Sequence, residues 1–192
     1  MRIVVGIPSF DMVHADFAMS LAVLARRTAD HELFFVNAKN SLVAEARNRI
    51  VAAARELQAG AILFLDSDLV FPPDTLARLL AHDRPVVCAT YARRTPPHDP
   101  VGAMLEGDFS SQPGPLARMK LVPTGCLLLA LPVLTLLPDP VFRTGIDPET
   151  MAIVGEDYVL SDALRACGTE LWCDLALSRE LRHLGQVAWR LD

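Results

Sequence analysis

Lysine is almost missing from this 192-residue sequence: Lys39 and Lys120 are the only two among 18 basic residues, the rest being arginine. No glycine-rich loop ends in a lysine, which disfavours a P-loop NTPase. Gly6-Ile7-Pro8 is not a GxGxxG fingerprint, which disfavours a dinucleotide-binding fold. Cys88, Cys126, Cys167 and Cys173 form no CxxC pair and lie in or beside apolar runs, so they read as structural thiols in a reducing compartment. Membrane-spanning runs are also lacking, because the most apolar stretch, Leu121–Leu137, is broken by Pro123, Gly125 and Pro132. The N-terminal run Met1–Gly6 is too short for a signal-peptide core, and a cytoplasmic protein is expected. With 18 basic against 23 acidic residues the net charge is −5, and bulk charge announces neither a nucleic-acid nor an anionic membrane partner.

What is present is apolar content, at 52% of residues with 21% charged, too apolar for disorder and enough for one domain. Ile3–Ile7 is a continuous apolar run stopped by Pro8-Ser9, as a buried parallel strand would be. Residues 16–27 place Phe17, Leu21 and Leu24 on one helical stripe, and Leu33–Val36 reads as a second strand. From Ser41 to Leu57 the residues Leu42, Val43, Ala46, Ile50, Ala54 and Leu57 recur at helical spacing, with Ser41 as the expected N-cap. Ala61–Leu65 is the clearest buried strand of the chain. Pro72-Pro73-Asp74 opens a short helix to about Ala81, and Pro85–Tyr91 reads as a strand. Residues 92–120 read as irregular loop, and Thr124–Leu131 reads as a strand followed by a short turn at Pro132. Glu156–Cys167 is helical with Gly168 as its stop, and Glu170–Cys173 is a last short strand before a mixed tail. This alternation predicts an α/β fold with a mainly parallel central sheet flanked by helices.

Asp66-Ser67-Asp68 follows the strand Ala61–Leu65 directly, where open α/β sheets bind ligands. Two carboxylates one residue apart at a strand mouth can share a divalent cation and a diphosphate. The alternative is a polar turn leading into the helix near Pro72. Arg47 falls beside the apolar stripe of its helix, so it either snorkels or points at an anion, and Asn48 next to it could join it on phosphate or ribose oxygens. Glu156 and Asp157 sit at a helix start, where the dipole alone favours acids and where one of them could also act as a general base. His183 is a candidate imidazole ligand if Asp66 and Asp68 already hold a metal. Arg93-Arg94 could meet phosphate or an acidic acceptor, and Asp11, His14 and Asp16 form a rival metal set.

In chain order, Ile7-Pro8-Ser9, Ser41–Arg49, Leu63-Phe64-Leu65-Asp66-Ser67-Asp68 with Phe71-Pro72-Pro73-Asp74, Thr124-Gly125-Cys126, Gly155-Glu156-Asp157 and His183-Leu184-Gly185 form an ordered set over nearly the whole chain. This set resembles the GT-A-fold glycosyltransferases, family 2-like, of the short bacterial and phage type. The resemblance implies one GT-A domain over residues 1–192, with the donor half at about 1–91 and the acceptor side at about 92–192. It implies a nucleotide-diphosphate sugar donor (a UDP- or GDP-sugar) near Pro8 and Ser9. Asp66 and Asp68, joined by His183, would bind Mn²⁺ or Mg²⁺, with Ser67 in the same donor-side turn. Arg47 and Asn48 match a donor-side motif, and Glu156-Asp157 would supply the base, taken as Asp157. The acceptor, a glycan or small molecule, is not indicated, and the short second half leaves room for a homo-oligomer that completes it. Gln186-Val187-Ala188-Trp189-Arg190 has the last two residues of a QxxRW motif reversed and is not counted. The competing readings are a nucleotidyltransferase of related fold, which would need a glycine-rich basic loop after the first strand, and a non-catalytic sugar-nucleotide-binding or assembly module.

Overall fold

The computed structural model describes residues 1–112, 114–185 and the backbone of 189–190, so positions 186–188 of the QxxRW-like stretch lie outside the described residues. The elements run β1 (Arg2–Ser9), α1 (Ala15–Arg27), β2 (Glu32–Lys39), α2 (Val43–Glu56), β3 (Ala61–Leu65), β4 (Leu69–Val70) and α3 (Thr75–Ala81). They continue with β5 (Val86–Cys88), β6 (Ala103–Met104), β7 (Leu116–Leu121), β8 (Cys126–Ala130) and a 3₁₀ turn (Leu131–Leu136). The last are β9 (Gly145–Ile146), β10 (Ile153–Val154), α4 (Glu156–Ala166), β11 (Leu171–Asp174), α5 (Leu175–Ser178), β12 (Arg182–His183) and β13 (Trp189–Arg190).

Eight strands form one sheet in the order β2-β1-β3-β8-β5-β11-β7-β6. β1 and β3 read as unbroken apolar runs because helices cover both faces of the sheet. Successive side chains alternate between two cores: Val4, Ile62 and Phe64 pack on the side of α2 and α4, whereas Ile3, Val5, Leu63 and Leu65 pack with Phe17, Leu24, Leu76 and Leu79. α2 lies so close to β1 that a Cβ on Gly6 would stand 2.4 Å from Ile50 Cγ2, so this crossing needs glycine.

The sheet is less parallel than the alternation of elements suggests. The pairs β1–β2, β1–β3 and β5–β11 are parallel. The pairs β3–β8, β5–β8, β7–β11 and β6–β7 are antiparallel. Only β7 and β8 run against the rest, but each reversed strand converts both of its contacts. β8 is covered on both faces and therefore reads like a parallel strand; two-sided burial carries no information about direction. β7 falls in the stretch 92–120 that reads as loop, yet Ala117, Met119 and Leu121 point inward while Arg118 and Lys120 face solvent, a half-buried strand with period two. The expected Ser41 cap is also displaced: α2 begins after Leu42, whose N–H is taken by Asn40 Oδ1 at 2.9 Å. Among the described residues, no helix is long and apolar enough to cross a membrane.

Candidate active site

A cleft of about 300 Å³ opens at the carboxyl ends of β1 and β3. Pro8 and Ser9 form one wall, Asn40, Ser41, Val43 and Ala46 a second, and Asp66, Ser67 and Asp68 a third. Ser9 is buried, and its Oγ accepts from Asn37 Nδ2 at 2.9 Å. The Asp66–Asp68 turn is tied down by backbone hydrogen bonds to three separate segments. Asp66 N–H donates to Gly125 O at 2.8 Å, His14 N–H to Ser67 O at 3.1 Å, and Leu184 N–H to Asp68 O at 2.7 Å. These bonds fix the backbone that carries the two carboxylates.

Arg47 does not snorkel. Its side chain is 2% exposed, and the guanidinium spans two carboxylates: Nη2 donates to Asp66 Oδ1 at 2.8 Å and Nη1 to Glu156 Oε1. The Phe142 ring packs against it, 5.9 Å from Cζ to the centroid. Burial works against the charge, but Asp66 and Glu156 outweigh it and hold the Arg47 pKa above its ordinary value. Arg47 therefore braces the β3 turn to the start of α4, and neither it nor Asn48 lines the cleft. Asn48 is committed elsewhere: Nδ2 donates to Phe142 O and Oδ1 accepts from Phe142 N–H, both at 2.8 Å. Its amide holds the loop beneath Arg47, away from the residues that line the cleft.

Asp68 and His183 meet because β12 pairs antiparallel with β4, placing His183 opposite Leu69. His183 Nε2 stands 3.7 Å from Asp68 Oδ2. Its Nδ1 lies 2.9 Å from Ala92 O, which can only accept, so Nδ1 carries the proton and Nε2 presents its lone pair. Burial, aided by Arg94, lowers the His183 pKa and favours this neutral form. Arg94 lies between the two ligand candidates: it pairs with Asp68 Oδ2, and its Nε donates to His183 Nε2 at 3.0 Å.

The expected set of Asp66, Asp68 and His183 is thus only partly assembled, Asp66 being drawn toward Arg47. Among the described residues, no three His, Cys, Asp or Glu side chains are gathered closely enough to hold a metal as they stand. That applies equally to the rival set, in which Asp11 pairs with Lys39 at 3.4 Å. The Asp68–His183 pair does fit a divalent cation: Asp68 Oδ1 is buried with no hydrogen-bond partner, and a carboxylate beside a neutral imidazole suits Mn²⁺ or Mg²⁺.

Of the two acids opening α4, Glu156 is taken by Arg47. Asp157 accepts only its neighbour's Tyr158 N–H, at 2.9 Å through Oδ1, and has no cationic partner among the described residues.

Residues 24–108 match Glycosyl transferase family 2. The matched stretch contains Arg47, the Asp66–Asp68 turn and Arg94, while Pro8, Ser9, Glu156, Asp157 and His183 lie outside it. At the general level this supports a glycosyltransferase. The crystal structure of A197 from STIV superposes with a TM-score of 0.68 at 16% identity, covering 100% of this chain and 95% of that one. At that identity the likeness concerns the fold, which is of the GT-A class. No curated protein matches the chain.

Two residues at this site lie outside the expected set. Tyr91, read as the last residue of a strand, is buried with its ring edge-on to His183 at 5.0 Å between centroids. Burial and then Asp66 push its pKa well above the ordinary phenol value, so it remains protonated. Gly125 leaves room for it: a Cβ there would stand 2.2 Å from Tyr91 Oη and 2.6 Å from Asp66 Oδ2. Thr124-Gly125-Cys126 was among the motif pieces, and its glycine was a usable signal; nothing local to Tyr91 was.

Proposed function

We propose that the protein transfers a sugar from a nucleotide-diphosphate donor, a UDP- or GDP-sugar, to an acceptor hydroxyl. The observation that carries this reading is the delivery of His183 by β12 onto Asp68, at the edge of the cleft that begins at Pro8 and Ser9. The nucleoside lies along that cleft, with the diphosphate toward Asp66-Ser67-Asp68. Asp68 and His183 would hold Mn²⁺ or Mg²⁺, joined by Asp66 through the oxygen that Arg47 leaves free. Such an ion stabilises the charge that develops on the departing diphosphate.

The chain's own residues account for the remaining steps. Asp157 accepts the proton of the attacking hydroxyl, because a base needs an unpaired carboxylate and Glu156 is neutralised by Arg47. Arg47 keeps Asp66 and Glu156 at a fixed separation, so the donor side and α4 remain in register. Residues 1–91 supply most of the donor wall and 92–192 the acceptor side. The acceptor is a glycan or a small molecule bound on that second side.

A panel of UDP- and GDP-sugars with Mn²⁺, read as binding and as slow donor hydrolysis, tests the reading. Metal-dependent binding of at least one donor is expected, and its absence across the panel overturns the proposal. Asp157→Ala should spare donor binding and slow hydrolysis by about 10²–10⁴-fold. Full hydrolysis in that variant would remove Asp157 as the base.

A further inference from the structure

Arg94 has no task in the transfer described above, yet it occupies the centre of the ligand pair. Its guanidinium is a planar fork with donors at fixed spacing. Here one arm pairs with Asp68 Oδ2 while Nε donates to His183 Nε2 at 3.0 Å. Because His183 Nδ1 is bound to Ala92 O, Nε2 is the only ring atom with a lone pair to offer. The atoms held by Arg94 are therefore those a divalent cation would coordinate, and a lone pair cannot serve both. Asp68 Oδ1, buried and without a partner, is a further oxygen that Arg94 leaves unused. Release is geometrically easy: the Arg94 side chain is 46% exposed, in contrast to the enclosed Arg47.

We propose that Arg94 is the resident cation of this site and that divalent-ion binding is an exchange. Arg94 leaves Asp68 Oδ2 and His183 Nε2 as the ion takes them. The metal-free protein thereby keeps two ligands ordered and neutralised, and the Arg94 contacts set how much affinity an ion must supply to enter. The inference rests on the metal reading given above.

Calorimetric titration with Mn²⁺ alone tests it, on the full chain, on Arg94→Gln and on Arg93→Gln. Arg93 is exposed, adjacent and carries the same charge, so it reports the general field. Losing a charge-assisted contact from the competing state should tighten Mn²⁺ binding about tenfold in Arg94→Gln. Arg93→Gln should change it by less than about threefold, as a screened surface charge does. Equal tightening in both variants would reduce the effect to net charge and overturn the exchange. Unchanged or weaker binding in Arg94→Gln, with Mn²⁺ still binding the parent chain, would overturn the exchange and leave the metal reading standing. If none of the three proteins binds Mn²⁺, the metal reading fails and the exchange with it.

Discussion

Replacing Arg47 by methionine keeps the aliphatic reach along Phe142 but deletes the charge that holds Asp66 and Glu156. Breaking a fully buried ion pair from one side costs about 3–5 kcal/mol, because the remaining charge stays unpaired. In this site solvent reaches both orphaned carboxylates, with side-chain exposures of 26% for Asp66 and 13% for Glu156. Partial hydration should reduce the loss to about 2–3 kcal/mol. For a chain of this length that is a fall in melting temperature of about 4–12 °C. Circular-dichroism melts and urea titrations of parent and variant measure it directly. A second substitution supplies the internal check. Adding Glu156→Gln to Arg47→Met removes one uncompensated charge and should recover about 1 kcal/mol, whereas Glu156→Gln alone should destabilise. A loss below about 0.5 kcal/mol in Arg47→Met, or no recovery in the double variant, would refute the brace. Arg47 would then be a solvated arginine, and the assignment of Asp157 over Glu156 would lose its electrostatic basis.

Gly125→Ala places a methyl against Tyr91 Oη and Asp66 Oδ2, so donor binding should fall more than stability; isothermal titration showing parent-like donor affinity would contradict this. Asn48→Ala removes two 2.8 Å hydrogen bonds to Phe142 and should cost about 2 kcal/mol in urea unfolding, with donor affinity changed by less than about threefold. A large affinity loss at unchanged stability would return Asn48 to the donor side. Asp68→Ala should abolish Mn²⁺-supported donor binding, measured by titration with and without the ion. Burial pushes the Cys126 thiol up to about 12 from an ordinary 9.0. A folded-state pKa above the unfolded one means the stabilisation is complete below pH 9 and is lost as pH rises toward 12. Stability against urea should therefore fall above pH 9, and Cys126→Ala should lessen that slope by up to about 1.4 kcal/mol per pH unit.

The parts of this site that can be read along the chain are those whose signal is local. Ala61–Leu65 is bounded at the same residues by its apolar run and by its backbone, and it delivers Asp66 and Asp68 to the mouth of the sheet. Arg47 stood out because it sat beside an apolar stripe, although its position could not tell a solvated head from a buried one. What escapes local reading depends on pairing. β4 and β12 have two residues each, too few for any periodic signal, yet their contact brings His183 to Asp68. The alternation in β7 was legible but lay among prolines, glycines and serines that favoured a loop. The same distinction governs the chemistry. An Asp-x-Asp turn and a Glu-Asp pair specify four carboxylates, but their roles follow from which of them a cation already occupies. Arg47 takes one oxygen of Asp66 and one of Glu156, and Arg94 takes Asp68. Asp157 is left without a counter-charge among the described residues, and that pairing pattern, not the order of residues in the motif, is what favours it over its neighbour as the proposed base.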